Sequence, residues 1–329
     1  MKVGLVGCGR IGAMYADHLR ALGHDDLICL DVDSARAAEL ARSGGTVAGS
    51  LAELLATGVD AALVAAATSS HPGLVSALLR AGVPTFCEKP LATDLAQTER
   101  LGQLASSRDV PLWVGFQRRF DPGFAELHAK LAAGDLGRVH LLRLISHDVA
   151  PPPLARLRES GSVFVDLMLH DFDLVQWLTG RRVVRVVGDG AVLAVPELAE
   201  LGDFDTVSAM LRLEDGALAV LTAGRRQPLG YDVRAEVLGE RGSAAAGLVE
   251  GTPVQALGPG AIPCGERGYD GYWDRFAEAY REQLDRFLVA AAGGPDTPEA
   301  GSWRSSYRAQ RIALAAEWSA RAGSIPVTL

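Results

Sequence analysis

The sequence has few cysteines and no long apolar run, and each shortage excludes a class of protein. Four cysteines in 329 residues have neither the close spacing of metal ligands nor the density of a disulfide framework: Cys8, Cys29, Cys87 and Cys264. No apolar run is long enough to span a bilayer, and the N-terminal MKVGLVGCG enters a strand pattern without a basic segment before it. We therefore expect a cytoplasmic protein with reduced thiols, no metal centre and no membrane anchor.

Clusters of basic residues are also missing. The formal net charge is −8, and neither sign of charge forms a long run. Nucleic acids and anionic membranes are bound by clustered lysine and arginine, so we expect neither as a partner and a small molecule instead. The length and the hydrophobic content of 48% predict a globular protein with about two domains.

A glycine-rich turn stands between a strand pattern and a helix pattern at the start of the chain. The apolar run KVGLVG leads into the sequence GCGRIG, which has the GxGxxG spacing. In a dinucleotide fold the first glycine permits the tight turn, the second admits the pyrophosphate and the third lets the helix pack on the strand. We predict that this turn binds a dinucleotide through Gly7, Gly9, Arg10, Ile11 and Gly12.

The acidic residue that such a turn requires is also present. A second strand pattern, LICL, ends in Asp31, about 20 residues after the glycines. A carboxylate there accepts hydrogen bonds from ribose hydroxyls and repels a 2′-phosphate, which favours NAD as the cofactor. Arg36 is the counter-indication, because its guanidinium could bind that phosphate and so permit NADP, although we interpret it as a solvated helix residue.

Strand and helix patterns then alternate up to residue 116. Helices are predicted over 34–43, 51–56, 72–81 and 94–107, and strands over 46–48, 61–67, 85–87 and 112–116. This alternation predicts a doubly wound parallel Rossmann sheet, in which ligands bind beyond the carboxyl ends of the strands. The segments that follow the fourth, fifth and sixth strands contain Thr68 and His71, then Glu88 and Lys89, then Gln117 and Arg118.

Two of these residues permit a structural as well as a functional interpretation. His71 at a helix start is more often a capping or packing residue, so we assign it proximity to the cofactor at most. Lys89 could form a surface pair with Glu88. We favour a position over the nicotinamide site, because adjacent residues of an extended chain point to opposite faces.

The pattern changes near Phe120, where we place the domain boundary between 1–120 and 121–329. Consecutive strand patterns follow over 183–187, 205–213, 217–223, 233–238 and 243–248, and helices are predicted over 122–133, 272–292 and 303–322. Strands without intervening helices indicate an α+β domain with a mostly antiparallel open sheet.

One predicted helix of the second domain places polar residues among apolar ones. The segment 161–178, GSVFVDLMLHDFDLVQWL, is apolar in every direction, which is typical of a buried helix. Asp166 and His170 are four residues apart and would share one face of it. A buried charge must be compensated, so Asp166 and His170 are either structural hydrogen-bonding residues or residues of a functional site.

With these parts in place, the chain resembles the Gfo/Idh/MocA oxidoreductases over essentially its full length, and most of all their inositol 2-dehydrogenase branch. The family resemblance rests on GCGRIG, Glu88-Lys89-Pro90, the segment from Asp166 to His170 and the C-terminal open sheet. The branch rests on 115–121, 161–166, 170–173 and 230–234, although Gln117 stands where the inositol enzymes tend to carry Met.

The resemblance implies a catalytic triad and a polyol site. Its catalytic residues would be Lys89, Asp166 and His170, with a cis peptide between Lys89 and Pro90. The polyol would be bound by Gln117, Arg118, Asp148 and Tyr231. The implied reaction is NAD-dependent oxidation of a secondary ring alcohol of an inositol or related cyclic polyol.

Two other functions stay open at this point. One is an NADP-linked reductase of a sugar, aminocyclitol or nucleotide-sugar ketone with the same fold. The other is a non-catalytic cofactor-binding regulator, against which the presence of all three triad residues argues. The open sheet further suggests a homodimer or homotetramer.

Overall fold

The computed structural model describes residues 1–249, 251–254 and 268–329, so Cys264 lies outside the described residues. The described chain divides into two compact units, 1–120 with 278–307, and 121–277 with 308–329. The sequence prediction had assigned all of 121–329 to the second domain. Residues 278–307 pack with the first unit instead, because the Phe287 ring packs against Phe86 and Trp113 at centroid distances of 5.7 and 5.9 Å.

The first unit contains the predicted Rossmann sheet. Its described strands are all parallel and lie in the order β3-β2-β1-β4-β5-β6. The strands are β1 Val3–Val6, β2 Leu27–Leu30, β3 Thr46–Val47, β4 Ala61–Val64, β5 Thr85–Cys87 and β6 Leu112–Val114. The helices between them are α1 Arg10–Ala21, α2 Ser34–Ala41, α3 Leu51–Ala56, α4 His71–Arg80 and α5 Leu95–Arg108.

Burial explains why these short apolar runs form a parallel sheet. Every residue of β1 and β4 is buried, as expected for strands that are covered on both faces. Three helices begin at side-chain caps, since Asp33, Ser50 and Asp94 each accept a hydrogen bond from an amide of the first turn. In contrast, Gly9 begins α1, and no described side chain caps that helix.

The second unit is built on a mixed, mostly antiparallel sheet, as predicted. Its described strands lie in the order β12-β11-β7-β10-β9-β8-β13, and of the neighbouring pairs β7 and β10 run parallel. The strands are β7 Val139–His147, β8 Val183–Ala191, β9 Thr206–Leu213, β10 Leu218–Gly224, β11 Asp232–Gly239, β12 Ser243–Ala246 and β13 Val327–Thr328. Strict alternation of buried and exposed residues along β9 shows that one face of the sheet is covered and the other is not.

The remaining helices follow along the chain, and their residues within 278–307 belong to the first unit while the others belong to the second. They are α6 Pro122–Ala132, α7 Leu154–Ser160, α8 Val163–Asp166, α9 Leu169–Thr179, α10 Tyr272–Arg275, α11 Ala277–Ala291 and α12 Trp303–Arg321. Short 3₁₀ helices lie at Thr68–Ser70, Gln117–Phe120 and Pro196–Leu201. Nowhere in the described residues is a helix long and apolar enough to cross a membrane.

The prediction of one helix over 161–178 is wrong. Helix α8 ends at Asp166, and α9 begins at Leu169. The amide of Met168 donates to Val163 O at 3.1 Å, one residue further back than in a regular α-helix, and the amide of Asp171 bonds to Met168 O at 2.9 Å to begin the next helix. Asp166 and His170 therefore belong to different helices, and the argument from a shared helical face does not apply.

Candidate active site

The sequence-predicted residues of the first unit lie at one edge of its sheet. Backbone hydrogen bonds join the segments that follow neighbouring strands: the amide of Gly7 donates to Leu30 O, that of Ala65 to Val6 O, and that of Glu88 to Val64 O. These segments leave the carboxyl ends of β1, β4 and β5, the edge at which a doubly wound sheet binds its ligand.

The three glycines of the turn are needed for different reasons. Gly7 has a φ of +95°, and a Cβ there would lie 2.5 Å from the Ala65 carbonyl carbon. A Cβ on Gly12 would lie 2.0 Å from Gly7 O, so Gly12 is required by the packing of α1 on β1. A Cβ on Gly9 would meet no described atom within 4 Å. Gly9 thus leaves open space beside an uncapped helix N-terminus, which fits the pyrophosphate of a dinucleotide.

Asp31 is fixed beside this turn. Its carboxylate accepts hydrogen bonds from the amide of Cys8 at 2.6 Å and from the amide of Asp33 at 2.8 Å. Arg36 lies 3.3 Å from the Asp33 carboxylate, and both side chains are largely exposed. Arg36, the residue that could permit NADP, therefore pairs with Asp33 at the start of its own helix.

Lys89 follows β5, and its peptide bond to Pro90 is cis, as the resemblance implied. The preceding carboxylate of Glu88 is buried; it accepts hydrogen bonds from the Tyr15 hydroxyl and, at 3.1 Å, from the backbone amide of Lys89. A Cβ on Gly115 would lie 3.0 Å from this carboxylate. Glu88 is therefore a buried carboxylate that is bonded to Tyr15 of α1 and lies close to Gly115 after β6.

His71 is a packing residue, which is the commoner role of a histidine at the start of a helix. The ring is 1% exposed, with Nδ1 2.9 Å from Pro90 O and Nε2 3.1 Å from Ala66 O. Burial lowers the pKa of His71, and the two carbonyl contacts oppose that shift only in part. The His71 ring thus packs between the segment after β4 and the cis proline beside Lys89. Thr68 lies in the 3₁₀ helix just before it.

Two thiols near this edge, those of Cys8 and Cys87, have raised pKa values. A hydrogen bond with Cys29, reinforced by burial, raises the pKa of Cys8, and burial raises the pKa of Cys87 well above its ordinary value. A protonated thiol is a poor nucleophile, so these residues are packing groups.

The 3₁₀ helix after β6 contains two of the predicted polyol-binding residues. Gln117 and Arg118 are both almost fully buried, at 2% and 1% exposure. Polar side chains are rarely buried to this degree without a specific function or partner.

In the second unit, Asp166 and His170 flank the break between α8 and α9. His170 is 7% exposed. Asp166 accepts a hydrogen bond at 3.1 Å from Nη1 of Arg225, a fully buried residue just after β10. Sequence reasoning missed Arg225. The sequence does contain a signal, a pair of arginines at the end of an alternating apolar strand. The local sequence does not indicate that Arg225 pairs with Asp166, which lies 59 residues away.

The same end of the sheet carries the other two predicted polyol-binding residues. The amide of Asp148 bonds to Gly224 O at 2.8 Å, and that of Tyr231 bonds to Tyr269 O at 2.7 Å. The Tyr231 ring meets Phe276 edge-on at a centroid distance of 6.2 Å. His147 pairs with Gly224 on one side and with Asp232 on the other. Asp148 follows His147 and Tyr231 precedes Asp232, so both predicted residues lie at the same end of the sheet.

Asp171 connects α9 to this sheet end. Its carboxylate is buried and accepts a hydrogen bond from Ser146 Oγ at 2.7 Å. The next helix residue but one, Asp173, is buried as well. The contact with β7 fixes the beginning of α9, which carries His170.

Family models match both parts of the chain. Residues 1–116 match the model of an oxidoreductase family with an NAD-binding Rossmann fold, and residues 124–245 match the C-terminal domain of the GFO/IDH/MocA group.

Known proteins resemble the chain over its whole length. It is 64% identical to a myo-inositol dehydrogenase of Streptomyces leeuwenhoekii over 329 residues, 99% of each chain. It is 36% identical to a myo-inositol 2-dehydrogenase of Thermotoga maritima, over 97% of this chain and 96% of the relative. A crystal structure of a Corynebacterium glutamicum myo-inositol dehydrogenase superposes with a TM-score of 0.89 at 29% identity, covering 99% of this chain and 98% of that one.

Proposed function

The chain belongs to the GFO/IDH/MocA oxidoreductase family, and we propose that it is an NAD-dependent dehydrogenase that oxidises a secondary ring alcohol of an inositol, or of a closely related cyclic polyol, to the ketone. The observation that carries the proposal is the 64% identity, over 99% of both chains, to a myo-inositol dehydrogenase. The presence of Lys89, Asp166 and His170 together supports it, because a binding module needs no such set.

NAD fits the residues at the carboxyl edge of the first unit. The turn from Gly7 to Gly12 would hold the pyrophosphate, with the open space at Gly9 and the uncapped start of α1 facing it. Asp31 would accept hydrogen bonds from the ribose hydroxyls, and Thr68, His71 and Glu88 would lie close to the cofactor. When bound, NAD supplies the acceptor for the hydride that leaves the alcohol carbon.

Lys89 and His170 have different roles at the alcohol group. Lys89, as an ammonium, donates a hydrogen bond to the alcohol oxygen and stabilises the negative charge that develops on it. His170 takes the alcohol proton, because an imidazole can accept and return a proton near neutral pH. Asp166 offsets the local positive charge and keeps these groups oriented.

Four polar residues would recognise the remaining hydroxyls of the ring. They are Gln117, Arg118, Asp148 and Tyr231. Their side chains offer donors and acceptors of both kinds, which matches a substrate covered with hydroxyl groups. Gln117 has an amide where the inositol enzymes tend to carry Met. This amide adds a hydrogen-bond donor and an acceptor, so Gln117 should influence which polyol is bound.

The assembly and location of the protein are part of the proposal. We infer a homodimer or homotetramer joined through the uncovered face of the second sheet, and a cytoplasmic protein. The location is supported by Cys8, Cys29 and Cys87, which are free and buried.

The test is a substrate panel assayed with both cofactors. We expect absorbance of NADH at 340 nm to rise with myo-inositol or a related cyclitol and NAD⁺, and to rise far less with open-chain polyols, aldoses or NADP⁺. Lys89→Met and His170→Ala should each lower kcat by about a hundredfold or more.

Lys130→Met is the matched control, since Lys130 lies on the exposed face of α6 beside Glu126. It should retain parental turnover. Unchanged inositol turnover in both active-site variants would remove the proposed roles, and turnover confined to NADP⁺ with a sugar would replace the substrate class.

A further inference from the structure

A fully buried arginine faces two carboxylates in the second unit. The guanidinium of Arg225 donates from Nη1 to Asp166 Oδ2 at 3.1 Å, and its Nη2 lies 3.8 Å from Asp203 Oδ2. The backbone amide of Arg225 bonds to Asp205 O at 2.8 Å, so the residue is fixed at the end of β10. Arg225 therefore presents a fixed positive charge to the proposed catalytic aspartate.

Asp203 completes the arrangement at the other end of α8. Its two carboxylate oxygens accept the amide of Val163, the first residue of the helix, at 3.1 and 3.2 Å. Asp166 is the last residue of the same helix. A four-residue helix is too short to hold its own position, and here Asp203 fixes its beginning while Arg225 fixes its end.

The charged groups around this network come from several packed elements. Burial raises the pKa of Asp203, whereas the amide of Val163 and the charge of Arg225 lower it. Glu317 of α12 also faces Asp203, accepts a hydrogen bond from Ser162 Oγ at 2.7 Å and pairs with Arg321. Among the described residues, Glu317 with its partner Arg321 thus adds to the charges of Asp166, Asp203 and Arg225 in this network.

We propose that Arg225 is a positioning residue for the reaction, which keeps Asp166 ionised and in one orientation, with Asp203 as its second anchor. This inference rests on the proposed catalytic role of Asp166. The physical reason is that the Asp166 carboxylate, 22% exposed, accepts a hydrogen bond from a fully buried guanidinium, which favours the ionised form and fixes its orientation. A neutral or reoriented Asp166 could not balance the positive charge of the basic catalytic groups.

The first experiment is a double-mutant cycle with the full-length protein, NAD⁺ and myo-inositol. Arg225→Met should lower kcat by about a hundredfold, the lower end of what a positioned acid or base contributes, while KM for NAD⁺ stays within twofold of the parent's. In the Asp166→Asn background the same change should cause no further loss, because the group through which Arg225 acts is already neutral.

The second readout is the pH profile of kcat/KM. Without the guanidinium, the acid limb, which follows protonation of the base His170, should move to higher pH by about one unit, because the negative charge of Asp166 is then no longer offset. Arg225→Lys retains the charge and should return the acid limb to its parental position and most of the turnover. A merely structural role of Arg225 would lower stability without moving the limb.

Arg275→Met is the matched control, because Arg275 forms a comparably buried pair with Asp121 at 2.6 Å in the same unit. It should lower the melting temperature and leave the acid limb in place. Addition of NAD⁺ should raise the melting temperature of a correctly folded variant. If Arg225→Met shows no such rise, Arg225→Lys is compared with Arg225→Gln, since both side chains are polar and only the lysine is charged. The inference then requires that Arg225→Lys be the more active of the two.

The outcomes separate this inference from the proposed function. Parental turnover in Asp166→Asn would overturn the catalytic role of Asp166 and the inference with it. An inactive Asp166→Asn together with a fully active Arg225→Met, or with losses that multiply in the double variant, would overturn the inference alone.

Discussion

At the scale of single residues, the carboxylate of Asp31, the proposed ribose-binding group, is fixed by its own backbone surroundings. Both carboxylate oxygens are oriented by backbone amides, those of Cys8 in the glycine-rich turn and Asp33 at the start of α2. A carboxylate oxygen can accept more than one hydrogen bond, so both remain available to ribose hydroxyls. In the proposed cofactor site, the preference for NAD would depend on the negative charge of Asp31 as well as on its position.

Asp31→Asn tests this charge with little change of shape. We expect KM for NAD⁺ to rise about tenfold, the cost of losing one hydrogen bond to a charged group. Turnover with NADP⁺ should rise relative to that with NAD⁺, because the repulsion of the 2′-phosphate is gone. Steady-state kinetics with both cofactors measure the two effects.

Asp17→Asn is the control for this prediction, since Asp17 is an exposed carboxylate of α1 that pairs with Arg20, three residues further on. It should leave the ratio of the two cofactors unchanged. An unchanged ratio in Asp31→Asn would show that the charge of Asp31 does not select the cofactor.

At the scale of elements, the uncovered face of the second sheet stands out. Met210, Val220 and Leu238 lie on β9, β10 and β11 and are 44%, 39% and 46% exposed. Val220 and Met210 are directly opposite each other in the antiparallel pair of β9 and β10. Apolar residues on one open sheet face are typical of a surface that another subunit covers.

Val220→Glu should therefore dissociate the proposed oligomer. A carboxylate at the centre of an apolar contact loses its hydration when the surface is covered, so association becomes unfavourable. We expect light scattering after size exclusion to give the mass of a smaller assembly, with the circular dichroism spectrum unchanged.

The control is Val289→Glu, at a residue of α11 that is exposed to a similar degree, 42%. It should keep the parental mass. A parental protein that elutes as a monomer would contradict the proposal, as would a Val220→Glu variant whose mass equals the parent's.

At the scale of the whole molecule, histidines in both units couple stability to pH. Desolvation by burial is the largest cause that lowers the pKa of each of these side chains: His18, His24, His71 and His147. The folded protein thus binds fewer protons than the unfolded chain once the pH falls below about 6.5, the ordinary value of a histidine.

The sign of the effect follows from this difference. The stability that the neutral histidines contribute is complete above the unfolded pKa and is lost as the pH falls through the lowered values of the folded protein. We expect the melting temperature to decrease steadily between pH 7.5 and pH 5.5. His71→Asn, measured over the same range, should melt lower at pH 7.5 and lose less on acidification, because its side chain does not titrate.

A parental melting temperature that stayed constant or rose over this range would contradict the lowered pKa values of these histidines. His140 provides the control, since it lies on an exposed position of β7. His140→Asn should reproduce the parental dependence on pH.

The sequence by itself determined what local patterns encode. The GCGRIG turn, its strand and helix, and the alternation up to residue 116 predicted the Rossmann sheet, because hydrophobic periodicity and glycine placement act over a few residues. Consecutive alternating strands likewise predicted the mostly antiparallel sheet. The cis peptide before Pro90 came from resemblance, which the structure confirms.

Only the tertiary structure decided the features that depend on distant residues. The apolar pattern of 161–178 gave no sign of the break after Asp166, since Asp203 and Arg225, which hold α8, lie far along the chain. The return of residues 278–307 to the first unit depends on aromatic packing of Phe287 with Phe86, 201 residues before it. Burial, ion pairing and helix ends of this kind are set by which surfaces meet, and no periodicity along the chain records that.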